Sequence, residues 1–231
     1  MMQLSQEKMV GRLGRFLGDV QRIQNEDIIK QISGNTVLDV GCGYGVLTKQ
    51  LAEKNKYKLL LGIDSDTLAI NIARNLYKDI NFKEIDLYAL NPLHNKFETI
   101  IFRESIHHLN VDKALSFARQ ICSKEIIIFD PNPNLLLRMC RYLIAHKDDE
   151  ARLGDIITSC NKNHLKIESI KYNSILAFPF SGGFVGKEIC PNIKFIKRSI
   201  IYIDSVLVKF LHFLGIDRYF CWRYLVKINI N

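Results

Sequence analysis

The sequence has no stretch of eighteen uncharged apolar residues, so no segment is expected to cross a bilayer as a helix. Residues 1–31 are broken by charges every few positions and lack the apolar centre of a secretory signal, so the chain is expected to be cytoplasmic. CxxC pairs are missing too. The six cysteines, Cys42, Cys122, Cys140, Cys160, Cys190 and Cys221, are widely spaced, which points away from zinc and dithiol motifs and toward free, mostly buried thiols with no metal. No internal repeat and no linker interrupts the chain, and a single domain over 1–231 is expected.

What is present is ordinary globular material: 231 residues, 48% apolar and 24% charged, which excludes disordered, collagen-like and low-complexity chains. The formal net charge of +8 is uneven, since residues 187–231 hold eight basic residues against three acids. Basicity of this kind suits nucleic acid, an anionic membrane surface or an acidic substrate, and its location has to decide among them.

Along the chain, segments of helical period alternate with short continuous apolar runs of the kind that parallel strands buried on both faces require. Strands are expected over 36–40, 58–63, 80–85, 99–102 and 125–129, each followed by a polar or glycine-containing break and a helical segment. This repeated rhythm predicts an α/β fold with a doubly wound sheet and helices on both faces. Helices are then expected over 134–146 and 148–161, and strands over 165–176 and 219–230. Between those last strands lies an insertion, 178–218, opening on the run Pro179-Phe180-Ser181-Gly182-Gly183.

The most informative stretch is Val37-Leu38-Asp39-Val40-Gly41-Cys42-Gly43-Tyr44-Gly45, a strand running into a glycine-rich turn that opens a helix. Glycine tolerates positive φ and lets backbone approach a ligand, and the helix start offers amides. An acid, Asp39, precedes the glycines inside the strand. Val46 stands where the dinucleotide fingerprint needs its third glycine, which disfavours NAD and FAD. The next strand ends in Gly62-Ile63-Asp64, placing a carboxylate to accept from both hydroxyls of a ribose, and Asp86 ends the third. Each piece has a plainer structural alternative: a tight turn, a helix cap at Asp64 or Asp66, a solvated loop acid at Asp86. Their combination at this spacing carries the reading.

With those residues assembled, 35–130 resembles the class I S-adenosylmethionine-dependent methyltransferases, especially the group acting on small molecules and lipids. The resemblance implies a Rossmann-like, mostly parallel sheet with an antiparallel last strand and a helical insertion before it, with S-adenosylmethionine as cofactor. By that resemblance Asp39, Gly41 and Gly43 would hold the methionine portion, Asp64 the ribose, and Asp86 with Leu87 the adenine, with Cys42 and Ser65 also at the cofactor. Arg103 and Glu104 would face the methyl end. Residues 1–34 would be a helical cover, 35–130 the cofactor-binding core and 178–218 the substrate side.

Methyl transfer to a hydroxyl needs donor and acceptor aligned and a proton removed. His107 and His108 follow the fourth strand and titrate near neutrality, and His108 is preferred over His107 as the base, with packing and capping roles as the alternative. Asp130-Pro131-Asn132-Pro133 is a loop stiffened by prolines from which Asp130 or Asn132 can touch an acceptor or simply turn the chain.

Residues 193–216 are mainly apolar but carry Lys194, Lys197, Arg198 and Lys209. At helical period they present a broad apolar face with basic flanks, which suits a lid over an apolar acceptor, a peripheral membrane contact through 193–214, or a core helix pair. The expected activity is therefore methyl transfer to a hydrophobic or lipid-linked small molecule, at oxygen. Two alternatives stay open: RNA methylation, disfavoured because basic residues interleave poorly with exposed aromatics, and a non-catalytic cofactor-binding or scaffold module. The sequence leaves the oligomeric state open.

Overall fold

The computed structural model describes residues 16–94, 96–135, 138–139, 152–183 and 188–230. In chain order the longer elements are α1 (Phe16–Ile29), β1 (Thr36–Val40), α2 (Val46–Ala52), β2 (Leu59–Asp64), α3 (Thr67–Leu76), β3 (Asn81–Glu84), β4 (Phe97–Arg103), α4 (Val111–Ile121), β5 (Cys122–Pro131), α5 (Leu153–Lys162), β6 (Lys166–Asn173), α6 (Ala177–Phe180), α7 (Lys194–Phe213), α8 (Asp217–Phe220) and β7 (Arg223–Asn229). The chain divides into two compact units, one of 27–130, 151–170 and 225–231, the other of 1–26, 131–150 and 171–224.

The first unit is built on a seven-stranded sheet in the order β3-β2-β1-β4-β5-β7-β6. β1 runs parallel to β2 and β4, β2 to β3, and β4 to β5. β7 runs against β5: Asn132 N donates to Trp222 O and Ile230 N to Lys124 O, so residue numbers rise on one strand as they fall on the other. The order is that of the doubly wound, mostly parallel sheet with an antiparallel last strand that was expected.

Four of the five β1 residues and four of the seven β4 residues in an unbroken run are buried, so both faces of these strands need helical cover. One face is covered by a cluster of Ile28, Ile29, Leu47 and Leu51 against Val37, Ile101, Ile127, Phe129 and Leu225. Local signals start the helices: Asp66 accepts from the Leu68 and Ala69 amides at the head of α3, and Asn110 from the Lys113 amide at the head of α4. In α4, Ala114, Leu115, Ala118 and Ile121 recur at helical spacing and are the buried residues.

At the amino end of the sheet sits a buried acid, Glu125, which is 2% exposed. It accepts from Ser33 N at 2.6 Å, Ser33 Oγ at 2.8 Å and Thr99 Oγ1 at 2.9 Å, and pairs with Lys227 at 3.3 Å. Burial raises its pKa, but the two Ser33 bonds, Thr99 and Lys227 outweigh burial and hold it below the ordinary value.

In the second unit, Phe16 and Val20 of α1 pack with Ala177, Cys190 and the inner residues Ile196, Ile200 and Ile201 of α7. Two buried charges fasten α7. Asp204 Oδ1 accepts from the amides of Ile175, Leu176 and Ala177 at 2.7, 2.5 and 3.1 Å. Lys197 pairs with Glu188 at 2.6 Å.

Several expected boundaries move. The strand expected over 165–176 ends at Asn173, because Ser174 turns the chain at φ 63 and Asp204 captures the amides that follow. The final strand begins at Arg223 rather than at 219: Gly215 turns out of α7 at φ 70, and Cys221 N donates to Asp217 O to close the short helix α8. α5 starts at Leu153. Most of the helix expected over 134–146, the first half of the expected N-terminal cover and Cys140 lie outside the described residues. The five described cysteines are free, and among the described residues no helix is long and apolar enough to cross a membrane.

Candidate functional site

The carboxyl ends of β1, β2, β3 and β4 bring most of the expected residues to one edge of the sheet. The glycine turn is pinned there by Gly41 N and Cys42 N, which donate to Ile63 O at 2.8 and 3.0 Å. Gly41, Gly43 and Gly45 have φ of 69, 52 and 76, a conformation that side chains resist. Space separates their roles. A Cβ on Gly41 would sit 2.5 Å from Ser105 Cβ, and one on Gly45 2.5 Å from the Phe82 ring, whereas one on Gly43 would meet nothing within 4 Å. Gly41 and Gly45 are thus required by packing, and Gly43 leaves open backbone for a ligand to approach.

Asp39, 1% exposed on β1, stands between Gly62 of β2 and Ile101 of β4 in the ladder. Its Oδ2 accepts from Thr48 Oγ1 on α2 at 2.7 Å, and its buried Oδ1 accepts no hydrogen bond among the described residues. Burial pushes its pKa up to about 6, and the Thr48 bond and the Arg103 charge only partly oppose this. A half-satisfied buried carboxylate is costly, and it marks a place where a donor is missing.

Asp64 is a bracket as well as an acceptor. Its Oδ2 accepts from Gly43 N at 2.8 Å and its Oδ1 from Asp66 N at 2.9 Å, so it ties the glycine turn to the head of α3. The helix cap itself is Asp66. A carboxylate has about four lone-pair sites, so these two bonds leave room for hydroxyl donors. Ser65 and Asp86 are exposed beside it. Asp86 Oδ1 accepts from Tyr88 N at 2.8 Å and starts the single 3-10 turn in which Leu87 is buried. Cys42 packs its side chain against Ile70, Ala73 and Phe82, and burial with the nearby Asp39 and Asp64 charges keeps the thiol protonated.

At the end of β4, Arg103 and Glu104 approach to 3.7 Å, and Glu104 has φ 52, rare for a residue with a side chain. Its amide donates to Phe129 O at 2.7 Å, which holds the bend. His107 and His108 follow in a 3-10 turn with ring centroids 4.0 Å apart. The geometry separates them. His107 Nδ1 lies 2.8 Å from Asp130 Oδ1 with its side chain 8% exposed, while His108 is an exposed residue. Asp130 is fully buried.

Asn132 is not aimed at an acceptor. In its own unit its side-chain nitrogen donates to Arg218 O at 2.8 Å and Cys221 O at 2.9 Å, so the structural-turn alternative holds for this residue.

Sequence reasoning passed over two residues here. Thr48 satisfies half of Asp39, and Ser105 donates to Val40 O at 2.7 Å while filling the space where a Gly41 side chain would be. A hydroxyl in the first turn after a glycine loop was the available signal for Thr48. None existed for Ser105, which lies 65 positions from its partner. A separate open depression of about 420 Å³, lined by Asn110, Asp112, Asp155, Ser159 and Lys162, lies at α4 and α5, where Asp112 and Lys162 already pair.

Residues 37–124 match the family model described as a methyltransferase domain. Among curated sequences, "Putative methyltransferase 235L" of Invertebrate iridescent virus 6 is 29% identical over 86 residues, and the match spans 36% of this chain and 32% of that protein. Magnesium protoporphyrin IX methyltransferase from Synechocystis PCC 6803, solved with S-adenosylhomocysteine, superposes with a TM-score of 0.61 at 14% identity over 91% of this chain and 83% of that one. Geranyl diphosphate C-methyltransferase from Streptomyces coelicolor A3(2), with Mg2+, geranyl-S-thiolodiphosphate and S-adenosyl-L-homocysteine, does so with a TM-score of 0.68 at 9% identity over 93% and 78%. At these identities the structures share the fold.

Proposed function

We propose that this chain, whose residues 37–124 match a methyltransferase-domain model, transfers a methyl group from S-adenosylmethionine to an apolar small molecule, at oxygen. The observation that carries the proposal is the buried Asp39 Oδ1 with no donor beside a glycine turn whose Gly43 is open. S-adenosylmethionine has an ammonium group, and a cation with N–H donors is what a buried, half-satisfied carboxylate lacks. The residues present therefore fit the cofactor. Asp39 and the Gly43 backbone would hold the methionine portion, Asp64 the ribose, and Asp86 with Leu87 the adenine. When bound, the cofactor supplies an electrophilic methyl group on a sulfonium.

This chain's own residues would then manage the acceptor proton. Asp130, accepting the Nδ1 proton of His107, would fix the tautomer in which Nε2 is the basic nitrogen, and such a nitrogen can take a proton from a hydroxyl. That pairing favours His107 over His108, reversing the preference drawn from the sequence. Such a base serves an O–H acceptor, whose proton must leave as the O–CH3 bond forms. The relatives named above act on magnesium protoporphyrin IX and geranyl diphosphate, which supports an apolar small-molecule acceptor.

The test is calorimetric titration of the whole chain with S-adenosylmethionine and S-adenosylhomocysteine, followed by release of S-adenosylhomocysteine against a panel of apolar phenols and alcohols. Saturable binding of both and turnover with at least one hydroxyl acceptor are expected. His107→Gln should keep the cofactor affinity and lose turnover. Absence of cofactor binding would sink the proposal, and undiminished turnover by His107→Gln would remove the base.

A further inference from the structure

α7 is apolar on both sides: Ile196, Ile200 and Ile201 pack inward, and a second apolar stripe faces out. A helix on a water-facing surface normally buries its apolar stripe and turns its charges outward. In α7 the inward side also takes in the charges Lys197 and Asp204, each held by partners in its own unit. The outward side is apolar and aromatic as well: Phe195 is 78% exposed, Tyr202 70% and Phe213 85%, with Val206 and Phe210 also exposed. By the 3.6-residue turn, Phe195, Tyr202, Val206 and Phe213 fall within about 40° of one another, so they form one stripe along the helix. A contiguous stripe of this kind marks a contact surface.

The charges bordering the stripe identify the contact. Arg198 and Lys209 are exposed and lie along one edge of it. The sole acid of α7 is Asp204, which is buried, so this helix shows no negative charge outward. Its partner is therefore both apolar in depth and negative at its surface. We propose that the chain binds peripherally to membranes containing anionic lipid through the outer side of α7, the aromatic stripe entering the headgroup region while Arg198 and Lys209 meet lipid phosphates and carboxylates. A second copy of the chain would bring basic edge and apolar stripe against the same features with no acidic edge to receive them. RNA would leave the aliphatic part of the stripe, Val206, without a partner that prefers it to water. The inference stands apart from the methyl-transfer proposal, since it needs neither cofactor nor acceptor.

The experiment is vesicle flotation of the full chain with phosphatidylcholine alone and with phosphatidylserine added, at low and high salt. Flotation with the anionic vesicles, reduced by salt, is expected. Phe195→Ser combined with Phe213→Ser should weaken it by at least about tenfold, because both rings lose their burial in the interface. Arg198→Gln and Lys209→Gln should each weaken anionic binding by about fivefold and leave weak binding to neutral vesicles unchanged. All four positions are exposed, so the variants should melt with the parent chain, which separates lost binding from lost folding. Failure to float with anionic vesicles, or flotation that survives Phe195→Ser/Phe213→Ser, overturns the proposal. So does a dimer by light scattering that the same pair of substitutions makes monomeric without any flotation, or salt-sensitive binding of single-stranded RNA without binding of vesicles.

Discussion

Two acids of the same sheet, Asp39 and Glu125, are 1% and 2% exposed, yet their pKa values move in opposite directions. Asp39 is raised to about 6, whereas Glu125 lies below its ordinary value. The burial penalty is common to both, so the partners make the difference. Glu125 has an amide, two hydroxyls and an ammonium, and Asp39 has one hydroxyl with Arg103 nearby. A buried charge that is fully matched holds a fold together, and one left half-matched lowers stability until something else supplies the missing donor. The amino end of this sheet is built for the first purpose and the carboxyl end for the second.

The largest effect that would break the comparison is at Glu125. Glu125→Ala leaves the Ser33 amide and both hydroxyls without their acceptor and Lys227 with Glu168 alone, and should lower unfolding free energy by about 3 kcal/mol in urea titration while leaving cofactor affinity unchanged. A loss below experimental error would mean that Glu168 alone can satisfy Lys227. Next comes Asp39→Asn. It removes a charge that is expensive in the unliganded fold, so stability should hold or rise, while cofactor affinity should fall by about 2 kcal/mol, roughly thirtyfold. Equal affinity in calorimetry would take Asp39 out of the site.

The smallest effect is in pH. The native state binds a proton at Asp39 more readily than the unfolded chain does, so Asp39 makes stability decline as pH rises from about 4 to about 6, beyond which its penalty is constant. Glu125 acts with the opposite sign: its contribution is fully present above its unfolded value and is lost as pH falls through its lowered folded value. A cationic ligand needs Asp39 ionised. The rise in melting temperature given by S-adenosylmethionine should therefore be larger above pH about 6 than below it, and Asp39→Asn should flatten that dependence. An equal shift on both sides of pH 6 in the parent chain would break the assignment.

Much of this was legible in the chain itself. β1 to β5 announced themselves as apolar runs between polar breaks, because parallel strands buried on both faces can carry little else. The glycine turn was legible because its signal is local, three glycines within five residues after Asp39. Roles were harder than places. Gly41, read as a ligand contact, also packs against Ser105, and the sequence preferred His108 whereas the fold sets Asp130 beside His107, 23 positions away. Asn132 sat in a promising loop and binds backbone carbonyls 86 and 89 residues away. Each of these contacts involves a partner distant in sequence, which no window of residues contains.

The sequence by itself determined the βα rhythm, the open turn after β1 and the acids at the strand ends, since these follow from periodicity, from glycine's freedom at positive φ and from short spacings. It also determined that residues 193–214 would be both apolar and basic. The tertiary structure decided which carboxylate is satisfied and which waits, which histidine meets an acid, and which side of α7 turns outward. Those outcomes depend on which strands become neighbours and on where Asp204 finds three backbone amides to hold, and such pairings exist only once the chain has closed on itself.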